Sequence, residues 1–600
     1  MPTSPADEYV ERVAARRATL DALNHQDLRV SQLRLVTFFA FVALGVLGFR
    51  GTASYWWMVL PLVTFVFLVK RHDQVIRARD RAARAIQFYE RGLARLDDRW
   101  MGGGETGERF ADEAHLYSND LDLFGPASLF ELLSISRTQS GEETLAAWLK
   151  APAARDEILS RHAAVRELVP LLDLRETLAL AGDGVRAGVH TEALVAWSVR
   201  PSPLGPPPLR WVAAVLSLAG AGALVALATG TFTPLLLVLI LQGLLRARQR
   251  ADLDKVLHSA VGHVRDLTIL KDLLSRLERE RFVCPRLNAV QQRINSGTIA
   301  GSIAIRRLEG LVEAHDWEHN IVFAMIAAPL MWSTHIGWMI EDWRDRHGQN
   351  IKTWLEAVGE LEALSSLATY TFEHPADPFP TLESGDGAGT AQLDAVALGH
   401  PLLPASRMVR NDVRLTGSDR LLVVSGSNMS GKSTLLRTVG INVVLALAGA
   451  PVRAGSLTLS PLAIGATLRI QDSLLEGRSR FYAEITRIRA IVDTARARPL
   501  LFLLDELFHG TNSHDRFIGA TGVLRSLLDL GAIGLITTHD LALTAIASEL
   551  APRAANVHFE DRFEGGEMSF DYRMKQGPVT RSNALALMRA VGLDVSEAED

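Results

Sequence analysis

The chain carries the stretch Gly426-Ser427-Asn428-Met429-Ser430-Gly431-Lys432-Ser433-Thr434, which fits the pattern G-x-x-x-x-G-K-[ST] of a phosphate-binding loop, or P-loop. An apolar run typical of a buried strand precedes it at residues 421–424, and a run with helical spacing follows at residues 435–448. A strand, a glycine-rich loop and a helix together present backbone amides and a helix N-terminus to a phosphate group. We therefore expect these nine residues to bind a nucleotide, with Lys432 reaching the β- and γ-phosphates and the Ser433 hydroxyl binding Mg²⁺.

Composition limits the class of protein. A chain of 600 residues is too long for one domain. With a net charge of −5, the chain does not have the overall positive charge of many nucleic-acid-binding proteins. This value is still compatible with a local basic surface. The single cysteine, Cys284, excludes an internal disulfide and a cysteine-based zinc site. The mean hydropathy of +0.12 is high for a soluble enzyme and suggests membrane segments.

A first transmembrane hairpin is predicted at residues 35–69, after a polar cytoplasmic segment at 1–34 that does not have the pattern of a signal peptide. Two uncharged apolar runs flank a short turn, and each is slightly shorter than the roughly 20 residues of a full span. A basic juxtamembrane helix is expected at 70–110, and the positive-inside rule places both ends of the hairpin in the cytoplasm. Arg50, in the turn on the opposite side, goes against this rule. The alternative is a helical hairpin buried in a soluble core.

A second transmembrane hairpin is predicted at residues 211–245, between helical core segments at 111–200 and 246–375. Arginines flank it on both sides, which again places both ends in the cytoplasm. Residues 321–340 contain no Asp, Glu, Lys or Arg and are long enough for a fifth span. A fifth span would put the P-loop outside the cell, and Pro329 with the polar residues that follow it suits a buried or membrane-surface helix better.

The last third of the chain, residues 392–600, alternates strand and helix patterns after a linker at 376–391, as an α/β domain does. The apolar run at residues 500–504 ends in Asp505 and Glu506. A carboxylate at the tip of a strand beside the P-loop completes a Mg²⁺ site, with Asp505 acting mostly through water, and Glu506 is placed to orient or deprotonate the attacking water. His539, at the end of a later strand, is a candidate sensor of the γ-phosphate. Ser479 opens a helical stretch as an N-cap or an anion contact.

Four motifs, at residues 426–434, 503–507, 510–515 and 537–540, together resemble the ATPase domain of the MutS family, DNA mismatch-repair ATPases related to the ABC ATPases. The Asn428-Met429 pair is more specific than the P-loop itself. The resemblance implies ATP and Mg²⁺ as cofactors and a head-to-tail homodimer with two composite sites. It also implies roles: Lys432, Ser433, Asp505, Glu506 and His539 act within one subunit, Ser479 acts on the opposite subunit, and a coupling loop contains Gly510, Thr511 and Asp515. The closing helix at 579–593 resembles the dimerising region of the family.

The departures from the family matter as much as the likeness. The resemblance is strong over residues 392–600 and weak over 111–200 and 251–375. We expect no room for a mismatch-reading domain, and the Phe-x-Glu of Phe88-Tyr-Glu90 lies in the basic helix as a coincidence. The clamp of the family is expected to be absent or replaced by the second hairpin. The resemblance therefore implies the ATPase activity of the family, because each of its ATPase residues has a counterpart in this chain. It does not imply mismatch recognition, and the chain looks like a membrane-associated, MutS-related branch of the family.

The sequence thus predicts an α/β P-loop NTPase domain of the ABC/MutS type at the C-terminus, preceded by an all-α core and lever domain with two transmembrane hairpins. The expected protein is a multi-pass ATPase of the inner membrane, with its ATPase domain in the cytoplasm and with membrane lipid, DNA or unidentified proteins as partners. The alternative is an ATP-driven membrane switch or scaffold that acts on protein or lipid without DNA. An ABC transporter is disfavoured, because four short spans in two separated hairpins make a poor permeation pathway.

Overall fold

The computed structural model describes residues 4–180, 191–204, 208–297, 299–383, 391–427, 429–469, 480–508, 511–564 and 567–579. The first part of the described chain is helical, and it contains α1 (Pro5–Phe49), α2 (Val59–Leu96), α3 (Leu129–Leu133), α4 (Gln139–Lys150), α5 (Arg155–Leu168), α6 (Leu172–Leu180), α7 (Thr191–Ser198), α8 (Pro208–Ala228), α9 (Thr233–Leu277), α10 (Pro285–Ile294), α11 (Gly301–Asp316), α12 (Ile321–Ala327) and α13 (Trp332–Glu373).

An α/β part follows the helices. It contains β1 (Thr381–Leu382), β2 (Leu393–Leu398), β3 (Asn411–Leu415), β4 (Leu421–Ser425), α14 (Lys432–Ala448), β5 (Ser456–Leu459), β6 (Ala463–Thr467), α15 (Arg480–Ala497), β7 (Leu500–Asp505), α16 (Ser513–Asp529), β8 (Ile533–Thr538), α17 (Ala545–Glu549), β9 (Ala554–Glu564) and β10 (Glu567–Gln576). The predicted succession of a helical region and an α/β domain is confirmed.

Two pairs of consecutive helices form hairpins. Helices α1 and α2 pack against each other along their length, and α8 packs against α9. Among the described residues, α1 and α8 are long and apolar enough to cross a membrane by length and composition. Only 6% of the apolar window of α1 and 17% of that of α8 is buried. Most apolar side chains in these windows of α1 and α8 are therefore not buried in a core.

Helix α13 is the central element of the helical core, and α4, α9, α10 and α11 pack around it. Trp354 is completely buried on this helix. A Cβ at Gly141 of α4 would lie 2.1 Å from a carboxylate oxygen of Glu362 on α13, so the missing side chain is what lets α4 approach. The charge-free run 321–340 is not one helix, because α12 ends at Ala327 and α13 begins only at Trp332, after a break that contains Pro329.

In the described α/β part, a six-stranded sheet has the order β10-β9-β4-β8-β7-β6. Strands β9, β4, β8, β7 and β6 are parallel, and β10 runs antiparallel to β9. A four-stranded sheet, β1-β5-β2-β3, lies beside it. The register aligns Ser425 with Thr538 and Asp505 with Thr537. The carboxyl ends of β4, β8 and β7 therefore meet at one edge, which is where open α/β sheets bind ligands.

Candidate nucleotide site

The P-loop joins the end of β4 to the start of α14. Gly426 and Gly431 have φ angles of +152° and +102°, a region that disfavours other residues. A Cβ at Gly426 would lie 3.0 Å from the Phe559 carbonyl oxygen, so the loop also needs glycine for close packing. The buried hydroxyls of Ser427 and Ser430 have no hydrogen-bond partner among the described residues. The loop therefore holds spare polar groups, as a phosphate cradle does.

Lys432 lies folded along the inside of the loop. Its side chain is 5% exposed, and Nζ donates hydrogen bonds of 2.8 Å to the carbonyl oxygens of Gly426 and Ser427. Burial lowers the pKa of Lys432, while the nearby carboxylates Glu506 and Asp505 oppose that shift. A buried ammonium that donates to carbonyl oxygens gains from an anionic ligand, which suits a phosphate.

The acidic side of the site lies at the end of β7. The Ser433 hydroxyl donates to Asp505 Oδ2 at 2.7 Å, and the Thr537 hydroxyl donates to the other oxygen of Asp505. Among the described residues, there is no cluster of three or more His, Cys, Asp or Glu side chains that could hold a metal by itself. A hydroxyl beside one carboxylate is nevertheless the donor set that Mg²⁺ takes in nucleotide sites, where phosphates supply further oxygens. Ser433 and Asp505 therefore fit Mg²⁺ as part of a nucleotide complex.

Glu506 and His539 form a pair beside this acidic group. Glu506 Oε1 lies 3.0 Å from His539 Nδ1, and the Glu506 amide donates to the Thr537 hydroxyl at 3.1 Å. Glu506 has a φ angle of +49°, which is strained for this residue type and is more often found at functional sites than elsewhere. The structure thus brings Lys432, Ser433, Asp505, Glu506 and His539 together at one sheet edge.

A cavity of about 810 Å³ opens above the P-loop, a volume in the range of small-molecule sites. Several of its lining residues have no local sequence signal, because they come from β10, from the start of β3 and from the segment between β2 and β3: His400, Arg407, Asn411 and Tyr572. Arg407 is exposed and forms no ion pair within the described residues. Burial lowers the pKa of His400 to about 4, so its ring is neutral at physiological pH. A neutral ring, an unpaired guanidinium and a tyrosine extend the site beyond the phosphate cradle.

Some predicted site residues lie outside the described residues, namely Asn428, Ser479, Gly510 and most of the helix expected at 579–593. Thr511 and Asp515 are described at the start of α16. The Asn512 side chain accepts a hydrogen bond from the Asp515 amide at 2.9 Å and donates one to the Asp515 carboxylate at 2.7 Å. Asp515 therefore takes part in capping α16.

A strap of the helical core at residues 112–122 reaches the nucleotide domain. Asp120, 1% exposed, accepts hydrogen bonds from the amides of Leu468 and Arg469 at 2.6 and 2.8 Å and from the Arg487 guanidinium at 2.6 Å. Burial raises the pKa of Asp120, and Arg487 opposes that shift. Arg437 of α14 donates to the Asp120 carbonyl oxygen at 3.2 Å. The core is thus fastened to the helix that begins at the P-loop.

The fold and the site together define a P-loop nucleotide-binding protein with an α/β sheet domain. Residues 422–598 match the family model described as MutS domain V. A segment of 249 residues is 33% identical to the DNA mismatch repair protein MSH3 of Phaeosphaeria nodorum, over 40% of this chain and 22% of that protein. Residues 422–598 therefore carry a domain of the MutS family, as the motifs predicted. The chain spans about a fifth of the curated relative that it matches.

Proposed function

We propose that the site binds ATP with Mg²⁺ and hydrolyses it. The observation that carries the proposal is the pairing of Glu506 with His539 beside the contact of Ser433 with Asp505, at the sheet edge where the carboxyl ends of three adjacent parallel strands meet. Bound Mg²⁺ would neutralise charge that develops on the phosphates. Lys432 would contact the β- and γ-phosphates, and Ser433 and Asp505 would hold the metal. Glu506 would orient or deprotonate the attacking water, and His539 would orient Glu506.

The test of hydrolysis is Glu506→Gln in the full-length protein. We expect ATP binding to persist and turnover to fall at least about 100-fold, because general-base catalysis typically contributes that much or more. Glu549→Gln, a change on the surface of α17 where the side chain is half exposed, is the control and should hydrolyse ATP normally. Normal turnover in Glu506→Gln would remove Glu506 from the mechanism.

We also propose that two copies associate head to tail, so that Ser479 of each reaches the γ-phosphate of the other. The match to MutS domain V supports this arrangement. ATP binding then closes the dimer and hydrolysis opens it. Glu506→Gln with ATP should therefore accumulate the dimer in light scattering, whereas a protein that stays monomeric with saturating ATP would contradict it.

The proposed location is the inner membrane, with both hairpins inserted and the ATPase domain in the cytoplasm. The support is the exposure of large apolar side chains along both hairpins, among them Phe39, Phe67, Leu218, Leu237 and Leu244. A soluble core would bury these residues, and monomeric soluble proteins rarely expose contiguous patches of this kind. Alkaline carbonate washing should leave the chain in the membrane pellet. Its release into the supernatant would refute insertion.

DNA is the candidate substrate of the ATP-driven motion, and a basic groove favours it. The groove, about 640 Å³, lies between α2, the end of α6 and the end of α9. Arg81, Arg84 and Arg279 line it and form no ion pair within the described residues, and Arg84 Nε is buried without a partner there. Unpaired guanidiniums along a groove suit phosphate oxygens.

The groove can be tested with a DNA duplex and detergent-purified protein. We expect salt-sensitive binding, and the double change Arg84→Gln with Arg279→Gln should weaken it and lower the salt slope by about two, since each phosphate contact adds about one. Arg489→Gln, an exposed arginine paired with Asp493, is the control. If no salt-sensitive binding occurs at low salt, the alternative of a membrane switch acting on protein or lipid takes its place.

A further inference from the structure

The segment between α11 and α13 has an unusual course. It carries the short helix α12, a break at residues 328–331, and then the first turns of α13. Met331 sits in the left-handed region, with φ +49°. The whole run 321–340 lacks Asp, Glu, Lys and Arg. The helical path is therefore interrupted in the middle of an uncharged run.

Two ion pairs fix the ends of this run beside the second hairpin. Arg246 contacts Glu318 at 3.5 Å, just before the run, and Arg210 contacts Asp342 at 2.6 Å, just after it. Arg210 and Arg246 are the arginines that flank the apolar part of the hairpin formed by α8 and α9. The run therefore begins and ends where the hairpin leaves the proposed membrane.

The break itself packs onto the hairpin. A Cβ at Gly220 of α8 would lie 2.0 Å from the Pro329 carbonyl oxygen, so only glycine permits this contact. Gly220 lies ten residues after Arg210 and nine before Thr229, or about 15 and 14 Å along the helix. These distances place the contact inside a hydrocarbon layer about 30 Å thick.

Polar side chains of the hairpin satisfy the backbone of the break. Gln242 of α9, 4% exposed, donates from Nε2 to the carbonyl oxygens of Pro329 and Leu216 at 2.8 and 2.9 Å. The Ser217 hydroxyl lies 2.9 Å from the Leu330 carbonyl oxygen. Non-helical backbone is tolerated at membrane depth only where protein groups satisfy it. The hairpin supplies those groups at the place where the helix is interrupted.

We propose that residues 321–340 form a re-entrant segment, which enters the lipid layer beside the second hairpin through α12, turns at Pro329 and leaves on the same side through the first turns of α13. The lipid-facing residues of this unit are apolar, with Ile326 46% and Met339 45% exposed. The occupant of this surface is the acyl interior of the bilayer. The proposal rests on the proposed membrane insertion of the second hairpin, and it keeps the P-loop in the cytoplasm because the segment does not cross.

Depth-dependent quenching tests the proposal on the full-length protein in phosphatidylcholine vesicles. In a Cys284→Ser background, an environment-sensitive fluorophore is attached to Ile326→Cys, Leu218→Cys or Leu541→Cys, the last on the ATPase domain. Doxyl groups at carbon 12 of the acyl chains should quench the fluorophores at 326 and 218 and leave that at 541 unquenched. Quenching at 218 without quenching at 326 would overturn the re-entrant segment alone. No quenching at either would overturn membrane insertion as well.

A matched pair of glycines provides the second test. Gly220→Ala should displace the turn and reduce the quenching at position 326 at least twofold. Gly222→Ala, on the same helix with nothing within 4 Å of the added Cβ, should leave it unchanged. The fluorophore at position 218 reports whether the hairpin itself stays inserted in both variants. Equal effects of the two changes at position 326 would contradict the docking of Pro329 on Gly220.

Discussion

At the scale of single residues, strained backbone conformations occur in the same loops as the polar residues of the candidate site. Met429, Glu506 and Phe508 have positive φ angles of 77°, 49° and 55°, although none is glycine. All three belong to the two loops that follow β4 and β7 beside the cavity. Such conformations cost roughly 1–3 kcal/mol each and persist where the surroundings enforce them. The surrounding fold therefore enforces the backbone conformation of Glu506.

Tyr572 provides a prediction at this scale. It lines the cavity, and its ring lies 3.0 Å from the place that a Cβ on Gly431 would occupy. A ring next to the phosphate cradle is positioned to stack on the nucleotide base, which is worth about 1–3 kcal/mol. Tyr572→Ala should weaken binding of a fluorescent ATP analogue roughly tenfold, and Tyr572→Phe should bind like the unchanged protein. Unchanged affinity in the alanine variant would exclude stacking.

The sequence predicts the motif residues of the site better than the other residues that line the cavity. Asp505 and His539 stand at the ends of apolar strand patterns, and Lys432 belongs to the P-loop motif that follows another, so local sequence places each of the three. Their meeting depends only on the parallel order of β4, β8 and β7. Arg407 and Tyr572 reach the cavity because the β2–β3 segment and β10 fold over it, and no local pattern encodes that. Long-range packing decides which irregular segments line a site.

At the scale of elements, the position of proline decides whether a long run forms one continuous helix. The absence of charge across 321–340 satisfies the length of a spanning helix, yet Pro329 falls in the break between α12 and α13. A hydropathy profile does not reveal this break, because proline is apolar. The Pro329 ring nevertheless interrupts the hydrogen bonds of the helix backbone. The opposite holds for α13, whose 42 residues contain no proline and continue unbroken.

The junction of α13 with α4 predicts a pH dependence. Glu362 is 2% exposed and accepts hydrogen bonds at 3.2 Å from the amides of Arg137 and Thr138. Burial raises the pKa of Glu362 from 4.5 to about 7. Between these values the unfolded chain releases the proton that the folded protein keeps. The stability from this group is thus full below pH 4.5 and is lost as the pH rises through about 7, by roughly 3 kcal/mol.

The measurement is chemical unfolding of the full-length protein in detergent at several pH values from 5 to 7.5. Glu362→Gln should flatten the decline in the free energy of unfolding over this range, because the amide does not titrate. Glu356→Gln, an exposed residue six positions earlier on the same helix, should keep the original slope. An unchanged slope in Glu362→Gln would assign the pH dependence to other groups.

One helix connects both hairpins at the scale of the whole molecule. The 42 residues of α13 extend for about 63 Å. Near its start, His335 shares a hydrogen bond of 2.8 Å with Ser217 of the second hairpin. At its end, Glu373 contacts Tyr9 near the start of α1 and Arg95 near the end of α2. A displacement of α13 would therefore change contacts at both hairpins. The strap at residues 112–122, through Asp120, links the same helical core to the α/β domain.

The Glu373 junction provides the prediction at this scale. Its carboxylate, 1% exposed, accepts hydrogen bonds of 2.7 and 2.6 Å from Arg95 and one of 3.0 Å from the Tyr9 hydroxyl. Glu373→Gln leaves the Arg95 charge buried without a counter-charge, which should lower the free energy of unfolding by about 3 kcal/mol. Glu90→Gln removes an exposed partner of Arg17 and should cost less than about 1 kcal/mol.

Hydrogen exchange locates the effect of that change. Because Glu373 fastens α13 to the stems of the first hairpin, Glu373→Gln should speed exchange in residues 5–20 of α1 and 85–96 of α2. Exchange in β4, β7 and β8 should stay unchanged, since the nucleotide domain has its own hydrophobic cluster on one face of the sheet. If both glutamate variants alter stability equally, or if exchange rises only in the sheet, then α13 does not hold the first hairpin in place through Glu373.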